Sequence, residues 1–217
     1  VPVDVPVPVV AIPPVTVLNQ SEKDRLKQLK AYAFFDKMKK NKPKPTTPNT
    51  ASSSNSPFVA APTVVEFACS NDSSLGRAAI NKGIDSIRLT KDFADLTTRG
   101  GYLKALQLVK TTSKPIHIHG SLPCTSWCRL QHINMHRFGD DFSARIVEER
   151  LLSCHMLKHF QLLCRYVAST GGTISFEWPR YCAGWDLPLL QDILAEFNLS
   201  TSNVDGCMVG VVSIKDP

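Results

Sequence analysis

From Thr63 onward the chain alternates short, continuous apolar runs with longer stretches whose apolar positions recur every three or four residues. The short runs read as buried strands and the longer stretches as helices with one apolar face. Val64-Val65-Glu66-Phe67-Ala68-Cys69 is the first such strand. Ser73 or Ser74 can cap a helix through Leu75, Ala78, Ala79 and Ile80, which Gly83 ends. Ile84 to Thr90 is a second strand, and Gly101 to Thr111 holds Leu103, Leu106 and Val109 at helical spacing. Ile116-His117-Ile118 is a third strand, running into a loop with Gly120, Ser121 and Pro123. A long helix is expected from Phe142 to Ser169. Its face carries Ile146, Leu151, Leu152, Met156, Leu157, Phe160, Leu163, Cys164 and Val167, and Gly171-Gly172 stops it. Thr173 to Phe176 is the next strand, Leu187 to Phe197 the next helix, and Leu199 to Ile214 one or two final strands. Strands alternating with helices predict an α/β domain over 63–217 with a doubly wound, Rossmann-like, mostly parallel sheet.

The first 62 residues follow another pattern. Val and Pro alternate from Val1 to Leu18, which predicts an extended, disordered segment. Ser21 can cap a helix from Glu22 to Lys40, with Leu26, Leu29, Tyr32, Ala33 and Phe35 as a partial stripe. Asn41 to Pro62 is a linker rich in Pro, Ser, Thr and Asn. Charge separates the two parts. Residues 1–63 hold nine basic and four acidic residues, a net +5, whereas 64–217 carry +1 of the total +6. The basic arm is either a solvated tail or a salt-sensitive tether to nucleic acid.

Composition narrows the setting. No apolar run reaches the eighteen or so residues of a membrane span, and the prolines of 1–18 exclude a signal peptide there. Seven scattered cysteines without framework spacing indicate reduced thiols, hence an intracellular and, with a DNA partner, nuclear location. A start at Val1 and a stop just after an apolar run suggest a piece of a longer chain.

The unusual residues stand at strand ends. They are Phe67-Ala68-Cys69-Ser70, then Pro123-Cys124, then Glu177-Trp178-Pro179. Parallel strands of an open sheet end on one side, and ligands bind in the crevice there. Cys124 alone reads as a small buried core residue. Together with a carboxyl it fits a thiolate attacking an electron-poor ring while an acid protonates the ring nitrogen.

The segments also match in order. Val65 to Gly76 (VEFACSNDSSLG) aligns without gaps on the cofactor loop of the DNA cytosine-5 methyltransferases, which usually reads DLFAGIGGFRLG. Gly120-Ser121-Leu122-Pro123-Cys124-Thr125-Ser126-Trp127 aligns on their nucleophile motif, usually GGPPCQPF, and Phe176-Glu177-Trp178-Pro179 takes the place of their ENV motif. The chain thus resembles that family over most of 64–180, and in particular divergent methyltransferase-like segments of mobile-element polyproteins. The resemblance implies a class I fold binding S-adenosylmethionine through Phe67, Ala68, Cys69, Ser70, Leu75 and Gly76. Asp92 is the nearest candidate for the ribose and Asp95 for the adenine side, and either could equally be a solvated loop residue. Cys124, after Pro123, would attack C6 of a flipped cytosine in DNA while Glu177 contacts N3. Cys69, Asn71 and Asp72 replace glycines of the family loop, and the stretch after Glu177 is too short for a recognition domain and stops before the family's last motifs, so the domain is expected to be incomplete at its C-terminal end.

Three other readings compete. One is a module that keeps the fold without catalysis, with Trp127, Trp178 and Trp185 as stacking surfaces. A second is a zinc site from His117, His119, Cys124, Cys128, His132 and His136, whose spacer is short for a finger. The last is a cysteine hydrolase, which needs a histidine beside Cys124 and an oxyanion hole. His117 and His119 share one side of their strand, whichever reading holds. Cys124 is expected to be the most reactive thiol, and Cys154 and Cys164 to be buried.

Overall fold

The computed structural model describes residues 61–205. The arm with its expected helix at 22–40, Cys207, and residues 206–214 of the expected final strands lie outside them. Residues 199–205 carry no strand.

The elements are β1 (Thr63–Cys69), α1 (Ser74–Asn81), β2 (Ser86–Thr90), α2 (Arg99–Lys110), β3 (Ile116–Gly120), α3 (Gln131–Ser169), β4 (Thr173–Phe176) and α4 (Pro188–Glu196). Short 3-10 turns at Thr125–Trp127 and Ala183–Asp186 follow the β3 and β4 loops. All four strands are parallel, in the order β2-β1-β3-β4. The described sheet starts from an interior strand, β1, steps outward to β2, then crosses back over β1 to β3. β2 thus lies on one side of β1 and β3 and β4 on the other, and in open parallel sheets ligands sit outside the carboxyl ends of the strands.

Strand alternation gives the sheet two unlike faces. Val65, Phe67, Leu89, Ile116 and Ile118 look to one side and are buried. Phe160 of α3 lies on that side, its ring centroid 5.4 Å from Phe67 and 5.6 Å from Phe176. A methyl on Gly120 would overlap both Phe160 and Phe176, so the strand there needs the missing side chain. α2 joins this face: Ala105 and Val109 are buried in the same core, and Tyr102 stacks on His159 of α3. α4 is clipped to α3 through Glu196, which receives Arg165 and Gln161.

The opposite face is polar. Register puts Arg88, Glu66, His119 and Ser175 in one line across the four strands, and His117 beside Thr173 in the next. α1 covers the β1–β2 half. Ser73 caps it, accepting from Gly76 N, and also donates to Glu66 Oε2. Glu66 is only 2% exposed, with Arg88 Nε 3.7 Å from its carboxylate. Gly76 lies flat on this pair, where a methyl would overlap Glu66 Oε1 and Arg88 Nε. Gly76→Ala is therefore expected to destabilise by about 1–3 kcal/mol, as overpacking does, read as a lowered urea midpoint at unchanged slope.

α3 differs from expectation at its start. It begins at Gln131, not Phe142, and bends at Gly139, whose φ of 77° and ψ of −162° are non-helical. The reading from Phe142 found only the part past the bend. Ser143 Oγ donates to Gly139 O at 2.9 Å and steadies the second segment. The first segment leaves Ile133 and Phe138 exposed, as is Leu130 just before it, so tertiary packing does not hold it by an apolar face. Among the described residues no helix is long and apolar enough to cross a membrane.

Candidate active site

Two backbone hydrogen bonds carry the sheet pattern past the strands. Ser121 N donates to Phe67 O at 3.3 Å, and Glu177 N donates to Gly120 O at 2.9 Å. The loops after β1, β3 and β4 are thereby side by side. Ser121 Oγ adds a bond to Glu177 Oε2 at 3.1 Å. Trp178 Nε1 donates to Leu122 O at 2.7 Å, fully buried.

Cys124 stands three residues beyond Ser121, at the start of the turn Thr125–Trp127. It is half-buried and packed on the core, and its carbonyl accepts Trp127 N at 2.9 Å. Pro123 before it is exposed. α3 holds the far side of the loop. Arg150 Nε donates to Ser126 O at 2.9 Å, Gln131 Nε2 to Thr125 O at 3.0 Å, and Trp127 Nε1 to Ser153 Oγ at 2.9 Å. The thiol therefore rides on a loop fixed from β4 and from α3.

The loop after β1 is held as firmly. Ala68 takes a left-handed φ of 63° where β1 shifts register between Phe67 and Cys69, at a cost of order 1–2 kcal/mol for a residue with a Cβ. Arg88 Nη1 donates to Asn71 O at 2.7 Å, and Asn71 Nδ2 to Asp92 Oδ2 at 2.5 Å. Asp92 is thus exposed at the end of β2 but already tied to the first loop. Ser70 and Leu75 are exposed and Gly76 is buried under its helix. Phe67 contributes its backbone alone to this end of the sheet, because its ring is in the core. Asp95 turns inward on its own segment. Its Oδ1 accepts Thr97 N and Thr97 Oγ1, and these bonds hold its carboxyl below the usual range.

A cleft of about 920 Å³ runs along β4, between Ser175, Glu177 and Trp185 on one side and residues 198–205 on the other. Glu177 lines it; Cys124 and the loop after β1 do not. The Glu177 carboxylate lines this cleft and also accepts from Ser121 of the loop after β3.

The thiols separate by burial. Cys154 and Cys164 are buried, as expected, and desolvation pushes Cys154 up to about 12 and Cys164 higher still. Burial and the Glu66 carboxylate push Cys69 up to about 11. Cys182 is buried and also raised, first by desolvation. Cys128 is the exposed thiol among the described residues, so Cys124 is not the most accessible one.

The rival chemistries find less. Among the described residues no three His, Cys, Asp or Glu side chains gather to hold a metal ion, so the His117-to-His136 cluster does not assemble. His117 and His119 bond to Thr173 and Ser175, and His159 to Leu96 O, so none of these three is oriented on Cys124. Trp127 and Trp178 are buried, with ring centroids 6.4 Å apart, and serve the core. Sequence reasoning missed Ser121 as the link to Glu177, and the hydroxyl partners of the two histidines. Only the alternation of His117 and His119 signalled the latter. No protein-family model, curated protein or solved structure matches this chain.

Proposed function

We propose that the chain is a methyltransferase-like domain of doubly wound class I type acting on cytosine in DNA, with Cys124 as nucleophile and Glu177 as acid. The observation carrying this reading is the pair of bonds Ser121 N–Phe67 O and Glu177 N–Gly120 O. They align a first loop, a thiol loop and a carboxylate loop outside the carboxyl ends of the strands. In the proposed reaction Cys124 Sγ bonds to C6 of the ring, and the displaced electron pair reaches N3, where Glu177 delivers a proton. After methylation at C5, loss of the C5 proton to water expels the thiolate, and N3 returns its proton to Glu177, which restores the neutral ring and the acid.

S-adenosylmethionine, which would supply the methyl group, fits the residues at the ends of β1 and β2. The exposed carboxylate of Asp92 suits ribose hydroxyls, and the backbone from Ser70 to Ser73 leads into the amino end of α1. Binding would exchange the Asn71–Asp92 bond for bonds to the sugar. S-adenosylhomocysteine at millimolar concentration is expected to raise the melting temperature, because a ligand that binds only the native state stabilises it. The same Asn71–Asp92 bond favours the second reading, a nucleic-acid-binding module whose first loop is closed on itself. An unshifted melting temperature would select that module.

A further inference from the structure

The proposed chemistry uses Cys124 and Glu177 and leaves the outer surface beside their loops unassigned. Trp127 and Trp178 do not serve it, because both are buried in the core. Two other rings are exposed on the elements that follow those loops. Phe138, 57% exposed, lies at the end of the first segment of α3, just before the bend at Gly139. Tyr181, 69% exposed, stands four residues past Glu177. Each ring carries an arginine. Arg137 Cζ lies 5.5 Å from the Phe138 centroid, and Arg180 Cζ lies 5.4 Å from the Tyr181 centroid. Both arginines are exposed. Phe142 braces Phe138, with ring centroids 5.4 Å apart.

A single exposed ring is ordinary, but here the setting repeats. From Ser121 to Gly139 the chain holds Arg129 and Arg137 and no Asp or Glu. From Trp178 to Trp185 it holds Arg180 and again no Asp or Glu. The nearest carboxylates in sequence are Asp140, past the bend, and Glu177 and Asp186, at the two ends of the second stretch. Arg129 and Arg180 line the same cleft, so the two elements meet there. Trp127 and Trp178 pack together beneath them. On the helix, positions 130, 133 and 137 recur at intervals of three and four, which puts exposed Leu130 and Ile133 on the arc of Arg137. Cations and open apolar faces are thus interleaved on one surface.

Resting on the reading that this end of the sheet works on nucleic acid, we propose that Phe138 and Tyr181, with Arg129, Arg137 and Arg180, form a docking surface for an unpaired strand. The combination selects that partner by its chemistry. A duplex keeps its base faces inside its own stack and offers phosphates and groove edges. An unpaired strand offers phosphates to arginine and base faces to aromatic rings, and every base has such a face. An acidic protein surface would engage the arginines and leave the rings idle. A lipid surface would take any apolar side chain and has no need of a ring. A base presented from an unpaired strand also spares the cost of leaving a duplex stack before it reaches Cys124. The substrate form assigned to the site is therefore single-stranded or locally opened DNA.

The test uses the full chain without methyl donor, so that binding is read without turnover. The probes are labelled DNA of mixed sequence, as a single strand and as a duplex, followed by fluorescence anisotropy. Phe138→Leu and Tyr181→Leu should each weaken the single strand roughly tenfold, within the range of base–aromatic stacking, and leave the duplex unchanged. Phe138→Tyr and Tyr181→Phe keep a ring and should bind as wild type does. Arg137→Gln and Arg180→Gln should each flatten the plot of log affinity against log salt by about 0.7. All four side chains are exposed, so the melting temperatures should stay together. The basic arm is present in every variant, and its charge cannot imitate a dependence on rings. Leucine variants that bind the single strand like wild type would overturn the surface. So would an equal loss for strand and duplex. Phosphatidylserine vesicles bound more tightly than the strand would assign the face to lipid and end the proposal. Methyl transfer is no part of the readout, so its absence would sink the catalytic reading alone, and the ring dependence would still decide the surface.

Discussion

Cys124→Ser is expected to abolish the stable complex between this chain and DNA carrying a fluorinated cytosine in the presence of methyl donor. A fluorine at C5 blocks loss of the C5 substituent, so in the proposed mechanism the chain stays bonded at C6. A hydroxyl is a far weaker nucleophile than a thiolate, and the loss should be at least about a thousandfold. The other described thiols are poor substitutes. Cys154, Cys164 and Cys182 are buried with raised pKa values, and Cys69 is raised beside Glu66. Cys128 is the exposed competitor, one turn on, so Cys128→Ser is the needed control and should leave the complex intact. Glu177→Gln should reduce the complex by about a hundredfold, since it removes a general acid and keeps the shape. The complex is read as a denaturation-resistant band on a gel. Its survival in Cys124→Ser would refute the nucleophile assignment.

The second large effect concerns the support of that loop. Trp178 is buried against Trp127, Phe176 and Trp185, with its ring over Gly184, and its indole N–H holds Leu122 O. Trp178→Ala opens a cavity where the β3 and β4 loops meet. It should cost about 3–5 kcal/mol, in the range for large aromatic truncations. Trp178→Phe keeps much of the packing and leaves Leu122 O without its donor, for a loss of about 1–3 kcal/mol. Urea unfolding separates the two, and a Trp178→Ala loss below that of Trp178→Phe would contradict the packing argument. Either change should also weaken Cys124 chemistry, because Leu122 lies two residues before the thiol.

The α/β pattern was legible because its strands are short apolar runs and its helices have clear faces. Val65, Phe67, Leu89, Ile118 and Phe160 announce their burial by residue type alone. The bent first segment of α3 was not read as helix, and tertiary packing does not hold it by an apolar face, since Ile133 and Phe138 are exposed. The site was legible as three strand ends. Which groups touch there depends on register, and register between β3 and β4 joins residues more than fifty positions apart. Ser121 with Glu177, and His117 with Thr173, are pairs of that kind. Phe67 shows the limit of motif matching. Its position matches a cofactor loop, yet its ring fills the core and only its carbonyl reaches the next loop.

The strand order also dictates when the pieces can meet. Val64 and Ser86, which pair across β1 and β2, are twenty-two positions apart, whereas Ser121 and Glu177 are separated by 56. Closing the longer loop costs about 0.8 kcal/mol more in chain entropy by the logarithmic rule, and long-range parallel pairing is the slow part of folding. During synthesis β1, α1 and β2 can pair as soon as they emerge. Cys124 then waits for fifty-odd further residues before its carboxylate partner exists. A ribosome-bound chain stopped before Glu177 would carry the Cys124 loop without the hydrogen bond that Ser121 makes to that carboxylate, so the proposed pairing of thiol and acid is the last part of the site to form.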